Sequence, residues 1–350
     1  MNILIIRLSS IGDVILTTSC IQSISMHYPQ CSICLLTSVV CGSLFKDDER
    51  IDELLLYDKN TPLSSGDPLA NRSWDVVLDL QHSARSRRLV RRACADSSPC
   101  VARFDKLHTK RALLLYGRIN SYRRHEDAVI VRYHDAAAKC LPRLGAHIPR
   151  PEISFDRKAA AGCCKRILKH CSLAASKSLA IFPFSTWANK QWPLERFAEI
   201  ASRFIDEKWN VLIFGGQQDR GSSNRLQERI SGVVCNLTGE LSLLECAFVI
   251  SQCSLALGND SGLSHLAGAV GVNTGIIYGS TTWHWGFFPA DHRRYRIFES
   301  AQWCRPCHAH GGNVCFRSGR RCLDAVSVET VFAGLLELCG KPQAIERSTG

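Results

Sequence analysis

The sequence predicts an α/β protein built from two doubly wound, Rossmann-like parallel-sheet domains facing across a cleft, and three observations carry that expectation. The 350-residue length exceeds one ordinary domain and suits two of roughly 150 residues each. Short runs rich in Val, Ile and Leu alternate with amphipathic segments, the pattern of parallel strands covered by helices on both faces. The alternation lapses at AHIPRPEISFD (146–156), which has two prolines and no helical period, and then starts again. Domains are therefore expected over 1–150 and 157–330, with 331–350 forming a C-terminal helix and tail.

In the first half, strands are read at 2–6, 32–37 and 75–80, each a short apolar run, with a helix following the first. In the second half, strands at 179–184, 211–215, 255–257 and 275–278 alternate with helices near 193–207, 222–230, 242–251 and 261–270. Pro193 suits a first helical position, where an N–H has no intrahelical partner. In open α/β sheets, ligands sit at the carboxyl ends of strands, so the loops there are the ones to read for chemistry.

Composition narrows the class. Apolar residues make up 45% and charged residues 21% of the chain, as in globular proteins. No apolar run reaches the ~18 residues of a membrane span, and 2–6 is too short and lacks the basic lead of a signal peptide. A soluble intracellular chain is expected. The formal charge is +11, and twelve Arg or Lys against two acids fall between His82 and Arg124. So local an excess suits an anionic partner, whether phosphorylated glycolipid, membrane headgroup or nucleic acid, or else a solvated helix face. The eighteen cysteines are read as reduced thiols, and Cys20, Cys163 and Cys253 as small buried hydrophobes.

The first strand runs into RLSSIGDVILTTSCIQSI (7–24). A dinucleotide fold needs G-x-G-x-x-G here, and only Gly12 is present; there is no Walker A lysine. Asp13 instead stands where strand becomes helix. It is either a helix cap stabilised by free N–H groups and the helix dipole, or a carboxylate at a strand end that accepts a proton from a hydroxyl. The dipole would lower its pKa and weaken it as a base.

In the second half, FPFSTWANKQWP (182–193) offers the hydroxyls of Ser185 and Thr186, then Lys190. Hydroxyls with one lysine suit a diphosphate, because lysine can steady a departing phosphate without a metal; a plain polar loop is the other reading. The glycines of IFGGQQDR (213–220) allow close approach to a ligand or make a tight turn. In GNDSGLSHLAGAVG (258–271), the N–H groups of Ser261 and Gly262 at a helix start form an anion site. Asp260 is placed for sugar hydroxyls, and His265 is either part of that site or a structural histidine.

RLSSIGDVILT, STWANKQWP and NDSGLSHLAGAVGV with YGST after it, in that order, resemble glycosyltransferase family 9, the ADP-heptose:lipopolysaccharide heptosyltransferases. The resemblance covers most of the chain. It implies a GT-B fold and an inverting, metal-independent transfer of heptose from ADP-heptose to the lipopolysaccharide inner core, on a Kdo–lipid A or heptosylated acceptor, with no cofactor needed for catalysis. It implies that Asp13 is the base and Lys190 a catalytic cation, with Gly12 on the acceptor side. Ser185, Thr186 and Lys190 match the phosphate loop, and Asp260, Ser261, Gly262 and His265 the donor loop. It also implies a cytoplasmic location, peripheral at the inner face of a Gram-negative inner membrane. The sequence departs from the family pattern in two places: Thr282, Trp283, His284 and Trp285 stand where Asp-Pro is frequent, and 271–273 lacks a common proline.

QHSARSRRLVRR (81–92) places Arg85, Arg88 and Arg92 on one helical face. With the resemblance in hand, they are expected to grip acceptor phosphates or carboxylates; without interleaved aromatics, nucleic acid is not expected there. CRPCHAHGGNVCFRSGRRC (304–322) holds Cys304, Cys307, Cys315 and Cys322, with His308 and His310 beside them. These suit a structural zinc or iron–sulfur site, or free thiols or a disulfide. The resemblance implies similar cysteines in family members of the heptosyltransferase II type. Alternative readings keep the fold with another nucleotide sugar, as a transferase or an epimerase, or make the chain a non-catalytic anion- or RNA-binding protein.

Overall fold

The structure is a computed structural model that describes residues 1–340, apart from 59–67, 71, 124, 157, 159–160, 163–164, 166, 168–170, 172–176, 288–293 and 318. Arg124, Cys163 and the 341–350 tail lie outside the described residues. The chain forms two compact units. The first comprises Met1–Thr109, Tyr122–Phe155 and Trp285–Ala290; the second comprises Lys110–Ser121, Asp156–His284 and Asp291–Gly350.

The first unit is built on a five-stranded parallel sheet in the order β3-β2-β1-β4-β5. The strands are β1 (Asn2–Ile6), β2 (Ser32–Ser38), β3 (Glu53–Tyr57), β4 (Val76–Asp79) and β5 (Cys100–Arg103). β1 and β4 are central and covered on both faces, so they read as continuous apolar runs. From β1 the chain winds outward through β2 to β3, then returns to the other side of β1 as β4 and continues to β5. The order therefore reverses between β1 and β4, and a crevice opens at that switch point beyond their carboxyl ends.

The second unit repeats the logic with six parallel strands in the order β11-β10-β9-β6-β7-β8. These are β6 (Ser178–Phe182), β7 (Asn210–Ile213), β8 (Cys235–Asn236), β9 (Leu255–Asn259), β10 (Thr274–Ile277) and β11 (Tyr295–Phe298). The reversal lies between β6 and β9. The Val328–Cys339 helix packs Val331, Leu335 and Leu338 into this unit's core, with Phe332 5.1 Å from Phe204.

The central strands fall where the apolar runs predict them. β3, β5, β8 and β11 escape that reading because they are edge or near-edge strands, short and only partly buried. Pro193 is the N-cap of the Leu194–Asp206 helix, with ψ 133, and not its first helical residue. The expectation of uniformly reduced thiols is also corrected: Cys100–Cys140 and Cys171–Cys235 are disulfides, each with Cα atoms 5.7 Å apart. Sequence separations of 40 and 64 hide these pairings, which only the folded chain brings within bonding distance. Cys20 and Cys253 are buried free thiols, and burial pushes each up to about 12. Among the described residues, no helix is long and apolar enough to cross a membrane.

Candidate functional site

In the first unit, Asp13 lies at the start of the Ile11–His27 helix, which leaves the carboxyl end of β1 at the switch point. It is a cap and more. One carboxylate oxygen accepts from the Ser10 N–H at 3.1 Å and the Ser10 hydroxyl at 2.7 Å. The other lies 2.7 Å from the Arg7 guanidinium, with 16% of the Asp13 side chain exposed. Burial pushes the Asp13 carboxyl up, but Arg7 and the Ser10 hydrogen bonds outweigh it and hold the group below the usual carboxylate range. Gly12 is buried beside it.

Arg7 is the partner that motif reading misses. It is nearly buried, lies 5.7 Å from the Tyr133 ring and donates to the Leu80 carbonyl just past β4. Gln81 completes the seam by accepting from the N–H groups of Leu8 and Ser9. The loops after β1 and β4 are thus tied together around the carboxylate. The signal for Arg7 was a charged residue directly after a buried strand, where only a paired cation is tolerated.

The arginine-rich helix, Ala84–Ala93, starts from the same rim. Buried Asp79, the last residue of β4, accepts from the His82 N–H and the Ser86 hydroxyl, while Ser83 caps the helix. Arg85, Arg88 and Arg92 are all on its exposed side, with Arg85 5.9 Å from the Tyr57 ring.

In the second unit, Lys190 and Asp260 meet at the switch point between β6 and β9. The Lys190 ammonium is 2.6 Å from the Asp260 carboxylate, and the Thr281 hydroxyl donates to the same oxygen at 2.8 Å. Burial pushes the Asp260 carboxyl up; Lys190 first, then His265 and Thr281, bring it down further, so it stays below the usual range. Ser261 caps the Gly262–Ala269 helix, and its buried hydroxyl oxygen has no hydrogen-bond partner among the described residues. His265 is buried on this helix's second turn. Ser185 and Thr186 precede Lys190 on the β6 loop, with Thr186 exposed and the Ser185 hydroxyl accepting from the Trp187 N–H.

Two asparagines that the sequence did not single out hold these loops. Asn259 accepts from the Trp192 N–H at 2.9 Å and donates to the Pro183 carbonyl at 2.8 Å, stitching β9 to the β6 loop. Asn189, beside Lys190, accepts from the Ser280 hydroxyl at 2.8 Å and the Gly312 N–H at 2.7 Å.

Cys304, Cys307, Cys315 and Cys322 are free thiols near one another: burial first, then the other three, raise the Cys307 thiol to about 11. Yet among the described residues no three His, Cys, Asp or Glu side chains are grouped to hold a metal ion. The zinc or iron–sulfur expectation therefore has no support in the geometry, because proximity without convergent ligands is not a coordination site.

Residues 63–313 match the sequence profile of a family described as glycosyltransferase family 9 (heptosyltransferase). Lipopolysaccharide heptosyltransferase 2 of Escherichia coli K12 is 26% identical over 301 residues, covering 81% of this chain and 84% of that protein. Lipooligosaccharide heptosyltransferase 2 of Haemophilus influenzae is 24% identical over 305 residues, with the same coverage of 81% and 84%. The solved structure of E. coli ADP-heptose lps heptosyltransferase II superposes with a TM-score of 0.74 at 22% identity, covering 97% of this chain and 98% of that one. The iron-containing dodecameric glycosyltransferase TibC of enterotoxigenic E. coli superposes more loosely, at a TM-score of 0.55 and 13% identity, covering 96% of this chain and 75% of that one.

Proposed function

The chain belongs to glycosyltransferase family 9 and has the GT-B fold, and from that premise we propose that it transfers a heptose from ADP-heptose to the inner core of lipopolysaccharide, with inversion and without a catalytic metal. The observation that carries the reading is the second unit's switch point, where Lys190, Asp260 and the unpartnered Ser261 hydroxyl gather at a helix start. That arrangement suits a nucleotide diphosphate: N–H groups and a lysine for the phosphates, a carboxylate for sugar hydroxyls.

The reaction is a single displacement. The acceptor hydroxyl oxygen forms a bond to the anomeric carbon while the bond from that carbon to the diphosphate oxygen breaks. The hydroxyl proton goes to Asp13, which its lowered pKa keeps ionised at neutral pH. Such a carboxylate is a weak base, so it works by placement: Ser10 and Arg7 fix its orientation. ADP leaves with the electron pair. Lys190 turns from Asp260 towards the departing diphosphate, and the N–H groups at the start of the Gly262–Ala269 helix share the charge. Ser185 and Thr186 hydrogen-bond the phosphates, and His265 keeps Asp260 ionised.

Gly12 lets the acceptor approach the Asp13 loop closely, and Arg85, Arg88 and Arg92 bind its anionic groups. The acceptor is a Kdo–lipid A or heptosylated core, met at the cytoplasmic face of the inner membrane. The four cysteines near residue 307 remain thiols in this reading. Zinc or iron at stoichiometric level in protein purified without chelator would reverse that point alone.

The test is mass-spectrometric detection of a heptosylated product from ADP-heptose and defined lipid A precursors. Absence of product with every inner-core acceptor would overturn the proposal. A second reading, a different nucleotide sugar, is favoured by one observation: the Thr282 hydroxyl and His284 ring pair at 2.8 Å where Asp-Pro is frequent in the family. A thermal-shift panel of ADP, UDP and GDP sugars decides between them, and stabilisation by a UDP or GDP sugar alone would favour the second.

A further inference from the structure

Two segments of the second unit, distant in sequence, touch through Arg118, which donates to the Pro306 carbonyl at 2.6 Å. One is Lys110–Ser121; the other runs from Trp303 to Arg321. Together they carry seven Arg or Lys and no Asp or Glu; Arg305 is turned inward to Glu299 at 2.7 Å and Arg320 to the Ala188 carbonyl, while Arg118 and Arg321 are exposed. They also expose large apolar side chains: Tyr116 is 85%, Trp303 68%, Val314 75% and Phe316 64% exposed, and Leu113 and Ile119 are exposed too. Arg317 lies 5.1 Å from the Trp303 ring, and Trp303 and Phe316 pack edge to face at 6.4 Å. Apolar groups this large, clustered and unburied, call for an external partner.

The chemistry of the cluster selects the partner. Aromatic side chains flanked by cations suit the headgroup level of a bilayer, where ring and chain carbon enter the acyl boundary and the cations meet lipid phosphates. A nucleic acid would use the aromatics but has no use for Val314, Leu113 and Ile119. A second copy would bring the exposed Arg118 and Arg321 of this face against their own equivalents. We infer that this face, Leu113, Tyr116 and Ile119 with Trp303, Val314 and Phe316, is a docking surface for an anionic phospholipid bilayer. The inference deepens the proposed function and rests on it for the choice of a lipid partner. The surface belongs to the second unit, and the arginine helix assigned to the acceptor to the first.

The surface also leads back to the donor loop. Gly311 packs on the Trp187 ring and the Lys190 side chain, and the Gly312 carbonyl accepts from the Asn189 N–H at 3.0 Å.

Co-sedimentation of the full-length protein with vesicles tests the inference, comparing phosphatidylcholine alone with phosphatidylcholine carrying roughly one-third phosphatidylglycerol. The parent binds the anionic vesicles and releases from them in salt. Trp303→Ser with Phe316→Ser, and separately Tyr116→Ser with Ile119→Ser, each lower the partition coefficient by about tenfold or more. Arg317→Glu lowers it in low salt and less in high salt. The thermal midpoint and the ADP-induced thermal shift stay at parental values in all three. Parental vesicle binding by both double variants overturns the surface, as does loss in only one of them. Equal binding to neutral vesicles overturns the anionic preference. A concentration-dependent dimer, or binding to single-stranded RNA, that the same substitutions abolish assigns the face to that partner instead. Failure to form heptosylated product, with vesicle binding still lost in the variants, removes the proposed function and leaves the docking surface standing.

Discussion

Replacing Asp13 by asparagine separates what the carboxylate does for the fold from what it does for the reaction. Asparagine keeps an oxygen for the Ser10 N–H and hydroxyl, so the cap contacts survive. Arg7, only 5% exposed, loses its counter-charge and keeps the Leu80 carbonyl and the Tyr133 ring. Removing one partner of a buried ion pair costs about 3–5 kcal/mol. The partial exposure of Asp13 lets water relieve Arg7, which puts the loss at the lower end, about 3 kcal/mol. For a unit of this size that is a fall of about 6–12 °C in Tm. Asp13→Ala also loses the Ser10 contacts, a further ~1 kcal/mol. In the transfer reaction, both variants lose the proton acceptor, and kcat falls by about 10²–10⁴. The assay is ADP release with a defined acceptor at a temperature well below both midpoints, with ADP affinity measured alongside. Asparagine turning over within about fivefold of the parent, while alanine fails, would show that Asp13 acts by capping and orientation and would refute its role as base.

Three further outcomes follow from the same geometry. Lys190→Ala, which leaves Asp260 without its counter-charge, lowers kcat by about 10²–10³ and weakens ADP binding; unchanged ADP affinity in a thermal-shift titration would count against the diphosphate assignment. Because Asp13 and Asp260 titrate below the unfolded carboxylate value, the stability they contribute is present above about pH 4 and is lost as pH falls through the folded values. The kcat profile therefore has no acidic limb from Asp13 between about pH 5 and 8, and Arg7→Met, which leaves only the Ser10 hydrogen bonds to oppose burial, moves that limb upward; an inflection near neutrality in the parent that Asp13→Asn removes would contradict this. Alkylation of the denatured chain, with and without prior reduction, should differ by the four cysteines of the two disulfides, and equal labelling would show those pairs to be reduced.

The doubly wound architecture was legible because a strand buried on both faces must be apolar throughout, and β1, β6 and β9 are so buried. β3 and β5 were not, because these edge strands of four or five residues are mostly half-buried or exposed and lack the fully buried run that marks a central strand. Asp13, Lys190 and Asp260 were found by their place after apolar runs, next to glycine or hydroxyl residues. Arg7, Thr281 and Asn189 were not. Arg7 had only the weak signal of a charge directly after a buried strand, while Thr281 and Asn189 matter through contacts across tens to more than a hundred residues, such as Asn189 with Ser280 and Gly312, and no local pattern encodes such a contact. The disulfides were missed for the same reason, and of the readings open for the cysteine cluster the structure has free thiols, a choice that spacing alone cannot make because it fixes neither the direction nor the convergence of thiols.

Both sheets are wholly parallel, so each has one rim that receives every strand's end and another that receives every strand's beginning. Asp13, Lys190 and Asp260 all follow strand ends. The turns that feed the strand beginnings, such as Glu207–Trp209 before β7 and 252–254 before β9, carry none of this chemistry. Each unit is thus a plate with a working lip and an idle one. Tags, linkers and surface attachments belong on the idle lip, where the chain can be lengthened without moving an atom that meets substrate.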